Sequence, residues 1–170
     1  MVEMMVTSTL GVLLIATIMG LLSMGRDIWQ DSETKIATLQ EVRKGLSAIS
    51  MDLPRASWSS PESEYCPAGV SAMESSLCFR LPQSIDGQTI TWGDTIRYRQ
   101  TGSGTRIQLI RENLTTGETS VVANSISTAS FLPVGTPPSA YVTVTLTARK
   151  TSLSTRMFES SLQTNFSVRN

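Results

Sequence analysis

The feature that most constrains this chain is its opening, where residues 4–25 contain no charged side chain. An apolar-dominated stretch of about 18 residues or more is a candidate transmembrane helix. At about 1.5 Å per residue, this run is long enough to cross a hydrocarbon core of about 30 Å. A cleaved secretory signal would need a basic segment before a shorter apolar run, and no Lys or Arg precedes this one. We therefore expect residues 1–25 to form a membrane-spanning helix.

Residues 26–55 continue this helix with a different pattern. Apolar residues recur three or four positions apart, at Ile36, Leu39, Val42, Leu46, Ile49 and Leu53. This spacing predicts an amphipathic helix with one apolar face that packs on a globular domain. Gly45 is a mild weakness of about 1 kcal/mol relative to Ala, and Pro54 disfavours helical geometry at the residue before it. The two segments together predict one helix of about fifty residues, roughly 75–80 Å long.

Residues 56–83 are predicted to form a loop, because they are rich in serine and several helix and strand breakers interrupt them. The breakers are Pro61, Pro67, Gly69 and Pro82. The two cysteines, Cys66 and Cys78, fall in this segment. In a domain outside the cytoplasm they predict a disulfide, worth about 3 kcal/mol in the chain-entropy model. Two free buried thiols are the alternative that the sequence leaves open.

From residue 84 to residue 170 the hydrophobic period changes to two. Ile96 and Tyr98 alternate with arginines, and Gly102 and Gly104 supply turn residues before the return strand. Two later segments repeat the alternation, with Val142, Val144, Leu146 and Ala148 on one face of the first and Phe158, Leu162, Phe166 and Val168 on one face of the second. Successive strands with short turns predict an antiparallel sheet. The amphipathic helix is the surface available to cover it, which gives an α+β fold.

The composition argues against an enzyme. The chain has no histidine, which excludes Ser–His and Cys–His catalysis within it. The acidic residues Asp86, Asp94, Glu62, Glu64 and Glu74 are scattered without calcium-binding spacing, so we expect no metal and no cofactor.

The basic residues Arg97, Arg99, Arg106 and Arg111 could share a face of two strands. The net charge of zero and nearby Glu112 favour ordinary solvated strands, so we expect no nucleic-acid partner.

Three segments carry a resemblance to a known family. The opening VEMMV, followed by the uncharged run, resembles the class III prepilin motif, with Met1, Val2 and Glu3 in place of Leu-Val-Glu. We expect a shortened start, with the basic leader, the cleavage-site glycine and the first two mature residues missing. LQEVRKGLSAISMDLPRAS and the ending NFSVRN are similar to segments of minor pilins and J-type minor pseudopilins of type II secretion. The chain thus resembles the type IV pilin superfamily, whose fold is a long N-terminal α-helix packed on an antiparallel β-sheet.

The resemblance implies a function in filament assembly. Glu3 matches the glutamate that helps neutralise the N-terminal amine of a neighbouring subunit. Gly11 and Gly20 would loosen the helix or allow close helix packing, although glycine is also common in membrane helices. The implied partners are other pilin or pseudopilin subunits through the N-terminal helix, the inner-membrane assembly platform, the prepilin peptidase and membrane lipid.

The implied location is the bacterial inner membrane, with one span, a periplasmic C-terminal domain and later assembly into a filament. A minor subunit of this kind would prime or cap a type IV pilus-like filament. The alternative is a generic membrane-anchored periplasmic β domain that binds a ligand or partner. The choice among a pilus, a secretion pseudopilus and a DNA-uptake machine stays open.

Overall fold

One long helix and two antiparallel sheets make up the fold. The computed structural model describes residues 2–62, 64, 66–73, 75–86, 89–104, 106–136, 140–153 and 155–168. Predictions that concern Met1, Glu74, Arg169 and Asn170 lie outside the described residues. Helix α1 spans Val2–Asp52 without interruption and passes into a 3-10 helix, Leu53–Arg55, that contains Pro54. The prediction of one continuous helix that ends near Pro54 is confirmed.

The described strands form two sheets where the sequence predicted one. The five-stranded sheet has the order β1 to β5, with β1 Ser71–Met73, β2 Ser76–Asp86, β3 Thr89–Thr101, β4 Gln108–Asn113 and β5 Glu118–Asn124. The three-stranded sheet consists of β6 Ile126–Val134, β7 Tyr141–Thr151 and β8 Met157–Ser167. All neighbouring strands are antiparallel, which confirms the α+β class. Ser125, with φ of 58°, separates β5 from β6 and redirects the chain from one sheet into the other.

The segment predicted as a loop, residues 56–83, is irregular only in its first part. Strand β1 and most of β2 lie within it. Leu77 and Phe79 are fully buried on one face of the strand, and Cys78, on the opposite face, is buried as well. Pro82 is accommodated because the register of β2 against β3 shifts on both sides of it. Proline does not by itself indicate a loop here, because strands tolerate it at bulges.

The docked face of α1 is rotated from the predicted apolar face. Val42, Ile49 and Leu53 are fully buried as expected, but Ile36 is 58% exposed. Each step of three residues turns the helix face by about 60°, so Ile36 lies about 120° from Val42. The buried face uses Thr38 in its place.

At Gly45, α1 packs closely against both sheets. A Cβ at this position would lie 2.6 Å from Cδ1 of Leu146 in β7 and 3.2 Å from Cδ2 of Leu109 in β4. A side chain at this position would force the buried side chains of Leu146 and Leu109 to shift. The glycine that the sequence marked as a weakness therefore allows close packing between helix and sheets.

Candidate functional site

The candidate site is the part of α1 that the sheets leave uncovered. Every residue from 2 to 29 is exposed, including the apolar side chains of the charge-free run. The helix is long and apolar enough to cross a membrane, and the apolar window is not buried by any other described part of the chain. No other described part of the chain covers this surface. Lipid or the helices of other molecules would have to cover it.

Hydroxyl groups in the charge-free run are satisfied by the helix itself. Thr9 donates to the carbonyl oxygen of Met5 at 2.9 Å, Thr17 to that of Leu14 at 2.8 Å and Ser23 to that of Gly20 at 2.9 Å. A polar group without a partner is costly in hydrocarbon, and bonding to a carbonyl one turn earlier avoids that cost. These side chains are therefore compatible with an apolar surrounding.

The predicted assembly residues are arranged along one helix and do not meet. Glu3, Gly11 and Gly20 are successively eight and nine residues apart, which separates them by about 12 and 14 Å along the axis. Glu3 is exposed in the first turn, where the helix dipole favours a carboxylate. A Cβ at Gly11 or Gly20 would meet no atom of the described chain within 4 Å. No contact in the fold requires glycine at these two positions, so their proposed roles depend on neighbouring molecules and stay predictions.

The two cysteines form the predicted disulfide. Cys66 and Cys78 are bonded, with their Cα atoms 5.9 Å apart. The bond joins the irregular segment after the helix to strand β2 of the five-stranded sheet. The sequence left open a disulfide or two free buried thiols, and the structure contains the disulfide.

A buried acidic residue attaches the end of α1 to the five-stranded sheet. Asp52 Oδ2 accepts a hydrogen bond from the hydroxyl of Tyr98 at 2.8 Å and an ion-paired one from Arg111 Nε at 2.6 Å. Burial, together with the nearby Asp52 carboxylate, raises the pKa of Tyr98 and keeps it protonated as a donor. Sequence analysis missed this contact. Its signal was an aspartate beside Leu53 on the helix face that is otherwise apolar.

A second buried acid fixes the middle of the part of α1 that packs on the sheets. Glu41 Oε2 accepts the backbone N–H of Asn124 at 2.8 Å, and its other oxygen pairs with Lys44 at 3.0 Å. Burial alone would raise the pKa of Glu41, but the Asn124 hydrogen bond and the charge of Lys44 outweigh burial and lower it. The ionised carboxylate of Glu41 thus provides a hydrogen-bond acceptor for the backbone N–H of Asn124, at the end of β5 where the chain leaves the sheet.

The four arginines considered as a basic surface do not share one face. Arg97 and Arg99 both pair with Glu112, each with an N–O distance of 2.7 Å. Hydrogen bonding from Arg99, opposed by burial and reinforced by Arg97, lowers the pKa of Glu112. Arg111 points to the other face, towards Asp52, and Arg106 is exposed in the β3–β4 turn. Two carboxylates of the same chain, Glu112 and Asp52, are therefore paired with three of the four arginines.

The combination of a long apolar N-terminal helix with antiparallel sheets is compatible with a pilin-like fold. No protein-family model matches the chain, and comparisons with curated proteins and with solved structures find no match.

Proposed function

We propose that this chain is a minor pilin- or pseudopilin-like subunit that primes or caps a type IV pilus-like filament at the inner membrane. The observation that carries the proposal is the continuity of α1: an exposed, charge-free half runs without a break into a half that is packed on the sheets. Such a helix can be held in a bilayer first and among other helices later. Lipid tails and apolar helices satisfy the same surface.

We call the part of α1 that packs on the sheets, residues 31–52, the docked half. Its contacts suit a subunit whose globular domain is pulled along when the helix moves. Asp31, Glu41 and Asp52 each bind a residue of the sheet region, at intervals over the whole docked length. A force applied to the exposed half would therefore be distributed over several attachments. This supports transfer of helix and domain as one body from membrane to filament, through the assembly platform, with cleavage and methylation left to a separate peptidase.

Glu3 is the residue that we assign to assembly. In a bundle of apolar helices, a carboxylate and the amine of a neighbouring chain would attract strongly because the local dielectric is low. Pairing would also offset the cost of removing both charges from water. A carboxylate close to a membrane span indicates function unless it has another partner.

Incorporation of the full chain into filaments of its native host tests the proposal. Glu3→Gln keeps the shape and removes the charge, so we expect it to leave the membrane level of the protein unchanged and to reduce the amount in sheared filaments. Glu118→Gln, on exposed strand β5, is the matched control and should assemble normally. Wild-type protein that is stable in the membrane but never found in filaments would contradict the proposal and favour a membrane-anchored binding domain.

The chemical state of the native N-terminus independently distinguishes a filament subunit from a membrane-anchored binding domain. Mass spectrometry of protein purified from the host should find a methylated residue at or just upstream of Met1. An unmodified start would point to an ordinary membrane anchor.

A further inference from the structure

Strand β8 runs alongside the docked half of α1 in the same direction. Just before its first residue, Arg156 Nη1 pairs with Asp31 Oδ2 at 3.0 Å, and the strand also contacts the 3-10 helix at the far end of α1. Eleven strand residues extend about 36 Å, and the helix from Asp31 to Leu53 rises about 33 Å. The two lengths agree, so the β7–β8 turn must lie where α1 enters the domain.

This turn lies close to the end of the charge-free run. Asp31 follows Gly25 by six residues, or about 9 Å along the helix, which is slightly more than the roughly 5–8 Å of one headgroup layer. The turn is closed by hydrogen bonds from Ser152 N to Arg156 O at 2.8 Å and from Thr155 N to Ser152 O at 3.0 Å. Its apolar residue, Leu153, is 86% exposed.

Apolar residues of the helix are exposed at the same height. Trp29 is 74% exposed, and Ile28 beside it is also exposed. Tryptophan is enriched where membrane meets water, because its ring is apolar and its N–H is polar. Leu153, Ile28 and Trp29 therefore lie at about one level along the helix, and we call them, with Arg156, the membrane-side collar.

Basic residues are in excess near the membrane-side collar, although the whole chain is neutral. The basic residues of the helix entrance and the adjoining turns and strand ends are Arg26, Lys35, Arg106, Arg149, Lys150 and Arg156. The acidic residues there are Asp27, Asp31, Glu33 and Glu159. Basic side chains are attracted to an anionic leaflet. Exposed apolar groups flanked by cations match a headgroup layer better than they match water.

We propose that the membrane-side collar docks the globular domain on the anionic headgroup surface of the bilayer that holds α1, with Leu153 inserted at the interface. The inference rests on the membrane anchoring in the proposed function. It adds a definite orientation to the stored subunit, with the sheets standing on the membrane. Release of the membrane-side collar would then be a step in the transfer of the subunit to a filament.

Fluorescent probes in nanodiscs test this docking on the full chain. Cys66 and Cys78 are bonded to each other, so a cysteine introduced by Leu153→Cys is selectively labelled with an environment-sensitive dye. Leu132→Cys, on β6 and 52% exposed, is the matched control, and Leu14→Cys reports on the span. In discs of phosphatidylcholine and phosphatidylglycerol, we expect the Leu153 probe to shift to shorter emission wavelength and to be quenched by lipids with a shallow spin label. The Leu132 probe should behave as in water.

The Leu14 probe distinguishes the two possible failures. If it is quenched by deeply labelled lipids while the Leu153 probe stays in water, only the docking is wrong. If the Leu14 probe also stays in water, the anchor is absent, which overturns the docking and the proposed function together.

Hydrogen exchange on the unlabelled chain removes any effect of the dye. Amides of the β7–β8 turn should exchange more slowly in discs with phosphatidylglycerol than in discs of phosphatidylcholine alone. Equal rates in the two lipids would show that anionic headgroups do not hold the turn and would overturn the proposal.

Discussion

The two halves of α1 belong to one uninterrupted helix but differ in what stabilises them. The first half, residues 2–29, is exposed on all sides and uncharged from residue 4 to residue 25. The second half is charged, packs on both sheets and is held by buried carboxylates at Glu41 and Asp52. The comparison shows that apolar content alone does not indicate which part of a helix is in the core. The more apolar half is the one that the domain leaves uncovered.

Buried polar contacts give the docked half a specific position. Apolar packing is non-directional, so Val42 and Ile49 alone would allow small rotations and shifts of the helix. A carboxylate that must accept a particular hydroxyl or backbone N–H removes that freedom, because a misplaced buried charge is costly. The exposed half has no such contacts with the described sheets, which suits a surface that changes its surroundings.

Removal of Asp52 should have the largest effect. Asp52→Ala leaves Arg111 and the Tyr98 hydroxyl without their buried acceptor, and we expect a loss of about 3–5 kcal/mol in the free energy of unfolding. Chemical denaturation in detergent, followed by near-UV circular dichroism, measures it. Asp27→Ala, on the exposed half, is the control and should change stability by about 0.5 kcal/mol or less. Equal effects would contradict the distinction between the halves.

A side chain at Gly45 should also destabilise the domain strongly. Gly45→Val would place atoms against Leu146 and Leu109, and overpacking of this kind costs about 1–3 kcal/mol. Gly20→Val is the matched substitution in open space and should leave thermal unfolding of the domain unchanged. If Gly45→Val were tolerated equally well, the close approach of helix and sheets would be wrong.

The Glu112 ion pairs should make stability depend on acid pH. The folded-state pKa of Glu112 is lowered below its ordinary value of 4.5, so its pairing contributes fully above that pH and is lost as pH falls through the folded pKa. Glu112→Gln should cost about 1–2 kcal/mol at neutral pH, and the difference from wild type should shrink on acidification below about pH 4.5. Denaturation series at several pH values measure this. A constant difference, or an equal loss in Glu118→Gln, would contradict it.

Truncation of Ile36 should have the smallest effect. The sequence pattern put Ile36 in the core, whereas the structure leaves it exposed. Ile36→Ala should therefore change stability by about 0.5 kcal/mol or less, while Ile49→Ala, at a fully buried position, should cost about 2–5 kcal/mol. A comparable loss from both would support the original apolar face over the rotated one.

The hydrophobic period and the positions of proline and glycine predicted much of the fold because they reflect local geometry. The charge-free run, the following three-and-four spacing and Pro54 were sufficient for one helix that ends near residue 52. Period-two alternation and the glycine turn located strands β3, β4, β7 and β8, with errors at their ends. It failed for β1 and β2, where serine and proline hide a short alternating segment around Leu77 and Phe79.

The sequence by itself determined the long helix, its charge-free apolar opening and most of the antiparallel strands, since each depends on residues close together in the chain. Only the tertiary structure decided the separation into two sheets, the face of α1 that docks and the partners of Asp52 and Glu41. These depend on residues such as Tyr98 and Asn124 that are far apart in sequence. Rotation by a few tens of degrees changes which side chains meet, and no local pattern records that rotation.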